Sequence, residues 1–223
     1  MKNAFDAVHL AIDIQSCFYK SLPKSRVHNF THAARIFANR LREHNILTIW
    51  VAFGSGHEPP FTFAPQEPKE RTPFVQKLGL EAVRPKENEP IYIKLVNDAF
   101  YYEHRSPLKE LLQSKNCRNV IITGMNTGAC VSDTIIGAQN VGLNVYAIYD
   151  LMADNYCEKQ PNAPGWHKEK LMNTCDGIHK VHLSPRDDFL RHLKEKGMLP
   201  PMPQPKGLPQ RLLQKVVSYA SLR

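Results

Sequence analysis

The feature that most constrains the fold of this chain is a segment of residues 119–139 in which a strand, a glycine turn and a helix follow one another. Residues 120–123 are all β-branched and end at Gly124, a pattern that predicts a short buried strand. Three apolar side chains then recur at helical spacing (Val131, Ile135 and Ala138), so we expect a helix to begin near Cys130. The segment therefore predicts a strand–turn–helix unit with Cys130 at the exit of the turn.

Cys130, at the start of this helix, is a candidate nucleophile. A thiol at a helix start faces unpaired N–H groups and the positive end of the helix dipole, and both stabilise a thiolate. The alternative is that Cys130 is a small buried hydrophobic side chain, which is the commoner role of a free cysteine. The choice depends on whether other reactive side chains lie beside it.

Strand and helix patterns alternate along the rest of the chain. Besides 120–123, strand patterns occupy residues 8–14, 47–53, 90–94, 144–150 and 178–183, and helix patterns cover 29–44, 108–112, 167–175 and 185–196. Strand, helix and strand in succession predict parallel strands joined by right-handed crossovers. The sequence therefore predicts one α/β domain with helices on both faces of the sheet. The proline-rich residues 54–89 show little periodicity and predict a long irregular loop that could wall a pocket.

The chain divides into a folded domain and a distinct tail. The α/β patterns fall within residues 1–198, whereas residues 199–223 begin with a proline-rich stretch that favours extended backbone. The tail ends in an apolar helical stripe, which predicts a short amphipathic helix (Leu212, Leu213, Val216, Val217 and Ala220). We expect this helix to dock on protein rather than on a membrane, because the stripe is short and only mildly basic.

The composition is basic, with a formal net charge of +8 at pH 7. Positive charge attracts nucleic acid, anionic membranes or small anions. The Lys and Arg residues are spread along the chain without a nucleic-acid motif, so we expect no nucleic-acid partner, although an anionic small-molecule substrate would suit the charge. No apolar run is long enough to span a membrane, and the start of the chain lacks a signal-peptide pattern, so we expect no membrane partner and a cytoplasmic location.

Three reactive side chains stand at the ends of predicted strands. Asp13 ends the first strand, Lys94 ends the third, and Cys130 follows the fourth. Because ligands bind beyond the carboxyl ends of the strands in an open parallel sheet, we expect these side chains to lie together. Singly, each has an ordinary structural explanation. Together they supply the acid/base group, the cation and the nucleophile of a cysteine hydrolase.

The motifs around these residues resemble those of one protein family. Residues 10–18 (LAIDIQSCF), 94–100 (KLVNDAF) and 124–134 (GMNTGACVSDT) resemble, in the same order, the aspartate, lysine and cysteine motifs of the isochorismatase-like cysteine hydrolase superfamily. That superfamily includes nicotinamidases, carbamoylsarcosine-type amidohydrolases and isochorismatases. The likeness spans roughly residues 7–185. We accordingly expect a three-layer Rossmann-like α/β fold with a six-stranded, mostly parallel sheet in the order 3-2-1-4-5-6.

The resemblance implies roles for individual residues. Asp13, Lys94 and Cys130 match the catalytic triad, in which the aspartate takes the thiol proton and the lysine stabilises the thiolate. The backbone N–H groups that match the family's oxyanion hole belong to Asn126 and Cys130. The family's cis peptide bond corresponds to the one between Met125 and Asn126.

Further expectations concern the substrate pocket and the assembly. We expect Phe18, Gly128 and Ala129 to bind the substrate, although Phe18 is at least as well explained as a core aromatic. Substitutions beside the presumed pocket, at Ser16, Cys17 and Asn126, leave the identity of the substrate open. By the resemblance alone, we expect a homo-oligomer.

The sequence departs from the nicotinamidase pattern after the second strand. Nicotinamidases bind a metal there through an Asp-x-His pair and a further His, whereas residues 53–57 read FGSGH, which leaves only His57. A metal site needs several convergent ligands, and the five scattered cysteines contain no C-x-x-C pair. We therefore expect no metal and no other cofactor.

The presence of Cys130 favours one reaction over its alternatives. We expect a metal-independent cysteine hydrolase that cleaves a small amide- or ureide-type C–N bond through a Cys thioester. True isochorismatases cleave a vinyl ether by protonation, which does not need the cysteine, and this reaction is the first alternative. The second is a non-catalytic binding or scaffold protein that engages a partner through its tail.

Overall fold

The structure is a computed structural model that describes residues 6–20, 22–56, 61–101, 106–155, 163–174 and 181–195. These ranges include the three predicted triad residues. His57 and the tail of residues 199–223 lie outside them, so the predicted tail helix and the division at residue 198 stay predictions. Within the described ranges, none of the helices has the length and apolar character needed to cross a membrane.

A seven-stranded sheet forms the centre of the molecule. Its strands are β1 (Ala7–Ile12), β2 (Leu47–Phe53), β3 (Thr62–Phe63), β4 (Ile91–Lys94), β5 (Asn119–Met125), β6 (Asn144–Ala153) and β7 (Val181–Ser184). They lie in the order β3-β4-β2-β1-β5-β6-β7, and every neighbouring pair is parallel except β3 and β4. The six predicted strands thus take the predicted order 3-2-1-4-5-6. The fold class is confirmed, with one extra antiparallel strand at the edge.

Helices cover both faces of this sheet. They are α1 (Ser16–Tyr19), α2 (Lys24–Glu43), α3 (Pro68–Lys77), α4 (Pro107–Ser114), α5 (Ser132–Asn140), α6 (Ala163–Thr174) and α7 (Arg186–Glu195), and a π-helical turn (Thr127–Val131) precedes α5. Apolar side chains of α4, α5 and α6 cluster with Leu10 and Ile12 of β1, whereas those of α2 cluster with Ala11. Successive β1 side chains therefore point into two separate cores, as expected for a central strand buried on both faces.

The proline-rich stretch of residues 54–89 is more ordered than the sequence indicates. It contains β3 and α3, where the composition predicts an irregular loop. Pro68 begins α3, a position at which the missing N–H costs no hydrogen bond and the fixed φ suits a helix. β3 is two residues long, too short to show an alternating pattern. The loop prediction was wrong because proline here starts a helix instead of preventing one.

Two helical segments begin earlier than the apolar periodicity predicts. α2 begins at Lys24 rather than at residue 29, and the segment after β5 begins at Thr127 rather than near Cys130. The extra residues are mostly polar or small, and among them only Val27 packs against a core, so they extend the apolar stripe very little. Cys130 consequently lies within the π-helical turn rather than at the first residue of the helix.

A buried histidine in β1 links three parallel strands. His9 Nδ1 lies 3.2 Å from Thr48 Oγ1 in β2, and His9 Nε2 lies 2.9 Å from Thr123 Oγ1 in β5. Burial lowers the pKa of His9 to about 3, with a smaller contribution from the positive charge of Arg42. The ring is therefore neutral in the folded protein near neutral pH.

Mild acid is expected to destabilise the protein through His9. The unfolded chain protonates this ring near a pKa of 6.5, whereas the folded protein does so only near 3, so the unfolded chain binds more protons between these values. The free energy of unfolding should therefore fall as the pH decreases below about 6.5, by up to about 1.4 kcal/mol per pH unit from this group. Urea unfolding at a series of pH values measures the slope.

His9→Gln is the control for this prediction, because an amide can still form hydrogen bonds with both threonines but does not titrate. Its free energy of unfolding should fall less steeply with decreasing pH than that of the wild type, by the equivalent of about one proton. If wild type and His9→Gln show the same slope, the account of His9 is wrong.

Candidate active site

The carboxyl ends of the central strands bring the predicted triad to one edge of the sheet. Asp13 follows β1, Lys94 is the last residue of β4, and Cys130 lies in the π-helical turn after β5. Lys94 Nζ lies 2.7 Å from Asp13 Oδ2, and the two side chains are 0% and 1% exposed. The charges of both residues act on the Cys130 thiol. The structure thus places an ion pair, shielded from solvent, beside the candidate nucleophile.

The backbone turns sharply at Asp13. Its φ is +47°, in the left-handed region that Asp tolerates better than most residues. Its N–H still donates to Val51 O at 2.8 Å, which continues the pairing with β2, while its carbonyl oxygen accepts the Gln15 N–H at 2.8 Å. This turn ends β1 and leaves the carboxylate against Lys94.

Gln15 fixes the segment beyond β1 to its neighbours. Its Oε1 accepts the Phe53 N–H at 2.7 Å, and its Nε2 donates to Phe53 O at 3.1 Å and to Leu78 O at 2.9 Å. The buried amide therefore joins this segment to the end of β2 and to the residue after α3. The spacing of Asp13 and Gln15 in the first motif has a structural explanation, since one supplies the carboxylate and the other holds the backbone that carries it.

The Lys94 ammonium group has three partners. Besides Asp13, it donates to Val96 O at 3.1 Å and lies 4.7 Å from the centre of the Phe53 ring. An aromatic face attracts a cation, and the attraction is stronger where water is excluded. These contacts hold in place a charged group that is almost never fully buried unless it is paired.

The Cys130 thiol faces the loop that follows Lys94. The residue is 6% exposed, and its Sγ lies 3.5 Å from Asn97 Oδ1, to which the thiol donates a weak hydrogen bond. The same loop is bound to α5, because Thr134 Oγ1 accepts the Ala99 N–H at 3.2 Å and donates to Asn97 O at 3.3 Å. The loop after β4 and the helix after β5 are therefore joined beside the thiol.

Burial keeps this thiol protonated. It raises the pKa of Cys130 to about 12, and the negative charge of Asp13 adds to the rise while Lys94 opposes it. Burial also raises the pKa of Asp13, with Lys94 as the main opposing influence. The sequence indicates a stabilised thiolate, whereas in the structure desolvation outweighs the effect of Lys94. The resting site is a neutral thiol beside an Asp13–Lys94 ion pair.

The turn that carries Cys130 is held by its neighbours. The Met125–Asn126 peptide bond is cis, as the resemblance implies. Gly124 has a φ of +121°, and a Cβ there would stand 2.0 Å from the carbonyl oxygen of the last residue of β1, so the close approach of β5 to β1 requires glycine. On the other side, Thr127 Oγ1 lies 2.8 Å from Nδ1 of His167 in α6, and both residues are buried.

Asn126, the predicted oxyanion residue, is fixed at the start of this turn. Its carbonyl oxygen accepts the N–H groups of Ala129 and Val131, both at 3.1 Å. Its Oδ1 accepts the Asn155 N–H at 3.3 Å, beyond the end of β6. Ala129, a predicted substrate contact, is half-buried.

Gly128 lies at an open part of the turn, next to α6. It is exposed, and its N–H donates to Asp154 Oδ2 at 2.9 Å, just after β6. A Cβ on Gly128 would lie 3.4 Å from Lys170 Cε, 3.5 Å from Asp154 Oδ2 and 3.9 Å from Trp166 Cη2. A cation, a carboxylate and an indole ring therefore border this part of the turn.

Phe18 is connected to the triad through a second aromatic ring. It belongs to α1, is half-buried, and meets Phe53 edge-on with ring centres 6.2 Å apart. Phe53 also lies against the Lys94 ammonium group, so a single aromatic ring separates Phe18 from the predicted triad.

Possible metal ligands are sparse in the described part of the chain. No group of three or more His, Cys, Asp or Glu side chains there is placed to hold a metal ion. An open cavity of about 550 Å³ does exist, but it lies at the amino ends of β1, β2 and β5, where Lys115 and Arg118 help to line it. No triad residue lines this cavity, so we do not assign it to the chemistry.

Several residues of the site were missed by the reasoning from sequence. Asn97 lies inside the lysine motif but at none of the positions that define this motif. Asp154 directly follows β6, and because ligands bind at the carboxyl ends of parallel strands, this position was a signal from which Asp154 could have been predicted. His167 and Lys170 lie on α6, and nothing in their spacing indicates that they meet the turn after β5.

Comparison with known proteins shows the family to which the chain belongs. A family model described as the isochorismatase domain matches residues 7–164, more than half of the chain. The isochorismatase family protein YrdC of Bacillus subtilis (strain 168) is 37% identical over 73 residues. That match covers 33% of this chain and only 37% of the Bacillus protein.

Solved structures share the fold at low sequence identity. A cysteine hydrolase from Pseudomonas syringae pv. phaseolicola 1448A aligns with a TM-score of 0.58 at 17% identity, over 86% of this chain and 94% of that one. The MAR1 ribonuclease from Caenorhabditis elegans aligns with a TM-score of 0.55 at 18% identity, over 93% and 96%. The family match over residues 7–164 identifies this chain as a member of the isochorismatase family.

Proposed function

We propose that the protein hydrolyses a C–N bond in a small amide or ureide by covalent catalysis at Cys130. The observation that carries the proposal is the buried set of a thiol, a carboxylate and an ammonium group, in which Lys94 Nζ lies 2.7 Å from Asp13 Oδ2. The carboxylate is a base for the thiol, and the ammonium group balances its charge. This combination suits acyl transfer to sulfur.

In the first half of the reaction, Asp13 accepts the thiol proton as Cys130 Sγ attacks the substrate carbonyl carbon. Since the pKa of the thiol is about 12, proton transfer accompanies the attack and no stable thiolate precedes it. The N–H groups of Asn126 and Cys130 hold the resulting oxyanion, and one such donor typically contributes about 3–4 kcal/mol of transition-state stabilisation. The C–N bond then breaks, and Asp13 gives its proton to the leaving amine.

In the second half, water cleaves the thioester. Asp13 takes a proton from the water molecule as its oxygen attacks the acyl carbon. The C–S bond then breaks, the carboxylic acid leaves, and the proton on Asp13 returns to Cys130 Sγ. One carboxyl group thus takes up and releases a proton twice in each turnover. Burial raises the pKa of Asp13, and this favours the role because the proton affinity of the carboxyl group comes closer to those of the thiol and the leaving amine.

The proposal needs no metal ion. Asp13 supplies the base, Lys94 balances its charge, and backbone N–H groups hold the oxyanion, so every step has a group from the chain. Of the nicotinamidase ligand set, the sequence retains only His57 near β2. The small-molecule substrate follows from the family.

A second candidate is vinyl ether hydrolysis, which one observation favours. Burial raises the pKa of Asp13, and a carboxyl group with a raised pKa is a better proton reservoir near neutral pH. In that reaction Asp13 protonates the substrate and Cys130 takes no covalent part. The ribonuclease name of the Caenorhabditis elegans neighbour belongs to that protein, and at 18% identity the likeness concerns the fold.

Asp13→Asn tests the proposal, because it should slow amide hydrolysis and at the same time make the Cys130 thiol more acidic. Loss of the base should lower kcat/KM for an amide substrate by about 100- to 10,000-fold. Loss of the negative charge should lower the pKa of Cys130 from its wild-type value of about 12, because Lys94 then acts unopposed. Amide turnover and the pH dependence of iodoacetamide alkylation at Cys130, followed by peptide mass spectrometry, measure the two effects.

Asp187→Asn is the matched control, since it removes an exposed carboxylate from α7. It should leave turnover and alkylation unchanged. If Asp13→Asn loses turnover and its thiol pKa stays the same or rises, the proposed role of Asp13 fails. If it keeps full amide turnover, the proposed mechanism fails.

The expected homo-oligomer and cytoplasmic location remain proposals. Size-exclusion chromatography with light scattering measures the mass of the assembly, and a mass of one chain at micromolar concentration would contradict the first of them.

A further inference from the structure

We propose that Lys170 and Trp166 of α6 bind an anionic group of the substrate, so that the amide or ureide carries a carboxylate or a similar anion. The inference rests on the proposed function, because it concerns the substrate of Cys130. It follows from how α6 lies against Gly128, in the same π-helical turn as the nucleophile.

The Lys170 side chain lies over an exposed part of this turn. Its Cε would be 3.4 Å from a Cβ on Gly128, and Gly128 itself is exposed. The aliphatic part of the lysine therefore covers the glycine, and because Lys170 is only half-buried, its ammonium group can stay in contact with water. A substrate that reaches Cys130 from solvent on this side of the turn passes this group.

The Lys170 ammonium group is free to bind a ligand. In the part of the chain that the structure describes, it forms no ion pair and donates no hydrogen bond. Lys94 differs, because its ammonium group pairs with Asp13 and donates a hydrogen bond to Val96 O. The nearby Asp154 carboxylate accepts the Gly128 N–H and has a further interaction.

Trp166 completes the surface, because it lies one helical turn from Lys170 on the same face of α6. Its Cη2 would lie 3.9 Å from a Cβ on Gly128, and it is half-buried. The next residue, His167, contacts Thr127 Oγ1 at 2.8 Å and so fixes α6 against the turn. A flat indole ring beside a free cation suits an anion attached to an apolar or planar group.

The test uses two alkylating reagents that share the same bromoacetyl group but end either in a carboxylate or in an uncharged amide, N-bromoacetylglycine and its N-methylamide. With either reagent, Cys130 Sγ displaces bromide from the same carbon and loses its proton, so the chemical step is the same. Peptide mass spectrometry gives the alkylation rate at Cys130, and free glutathione in solution gives the intrinsic reactivity of each reagent. After this correction, wild-type Cys130 should react faster with the anionic reagent.

Lys170→Met should remove this preference. Methionine keeps the apolar stem over Gly128 and removes only the charge. We expect the rate with N-bromoacetylglycine to fall by about fivefold, the value of one partly exposed ion pair, and the rate with the N-methylamide to change by less than about twofold. Added salt at about 1 M should also abolish the wild-type preference, because it screens charges beyond about 3 Å.

Lys168→Met is the matched control, because it removes an exposed lysine from the same helix. It should leave both rates as in the wild type. If Lys170→Met keeps the preference, or if Lys168→Met loses as much of it, the inference is overturned and only the net charge of the protein acts. Failure of the proposed function would look different, since amide hydrolysis would then not depend on Cys130.

Discussion

Cys130→Ala is expected to abolish the hydrolysis of small amides and ureides. Without the thiol no acyl-enzyme forms, and only substrate positioning and the oxyanion N–H groups remain to assist direct attack by water. Removal of the nucleophile from a triad should therefore lower kcat by about 10,000-fold or more. Release of ammonia or amine from a panel of small amides and ureides, compared between wild type and variant, measures the loss.

Cys117→Ala is the control for loss of a cysteine as such. Cys117 is half-buried at the amino ends of the strands, away from the candidate active site, so its loss should leave amide turnover unchanged. Equal amide turnover by wild type and Cys130→Ala would exclude the thioester mechanism. Vinyl ether hydrolysis that survives in Cys130→Ala and is lost in Asp13→Asn would establish the second candidate instead.

Lys94→Met is expected to destabilise the folded protein by about 3–5 kcal/mol near neutral pH. Methionine fills most of the space of the lysine, so the main change is the loss of the cation. Asp13 is then left as a buried carboxylate without its partner, and breaking a buried ion pair in this way is strongly destabilising. Urea unfolding followed by circular dichroism measures the difference.

The effect of Lys94→Met should depend on pH in a defined direction. Burial already raises the pKa of Asp13, and without Lys94 nothing comparable opposes the rise. The folded variant then binds a proton that the unfolded chain releases above about pH 4. Relative to that of the wild type, its free energy of unfolding should therefore be highest at low pH and should fall as the pH increases, because the opposite contribution of His9 is common to both proteins and cancels in the difference.

Two further variants separate the ion pair from other effects. Asp13→Asn combined with Lys94→Met removes both charges and should recover much of the loss, because asparagine also tolerates the positive φ at position 13. Lys168→Met, at an exposed position, should change the stability by less than about 0.5 kcal/mol. If Lys94→Met is no less stable than Lys168→Met, the buried ion pair does not have the proposed importance.

Much of the fold was readable from the sequence, because apolar periodicity reports which side chains face a core. Strand patterns around Leu10, Ile49 and Ile122 placed the central strands, and the order of the six predicted strands is the observed one. The signal fails where structure forms without apolar side chains. The first residues of α2 and the π-helical turn at Thr127 were missed for this reason, whereas the helix that starts at Pro68 was missed because its prolines indicated a loop.

For the candidate site, the proximity of the three residues was predictable from the sequence, whereas the protonation of the thiol and the packing of α6 were not. Asp13, Lys94 and Cys130 stand at strand ends, and parallel strands bring such ends together, so their proximity follows from topology alone. The protonation state of Cys130 does not, because it depends on desolvation by the surrounding chain, which outweighs Lys94. The contact of Lys170 with Gly128 depends on how α6 packs, and no periodicity in the sequence carries that information.

Covalent catalysis at Cys130 can be tested by detecting a thioester on this residue during turnover. Wild-type protein is mixed with an amide that it hydrolyses, quenched in acid within the first turnover, and analysed by peptide mass spectrometry. We expect an added acyl mass on the peptide that contains Cys130, released by hydroxylamine and absent from Cys130→Ala. Continued amide turnover with Cys130 unmodified, together with full activity of Cys130→Ala, would contradict this expectation.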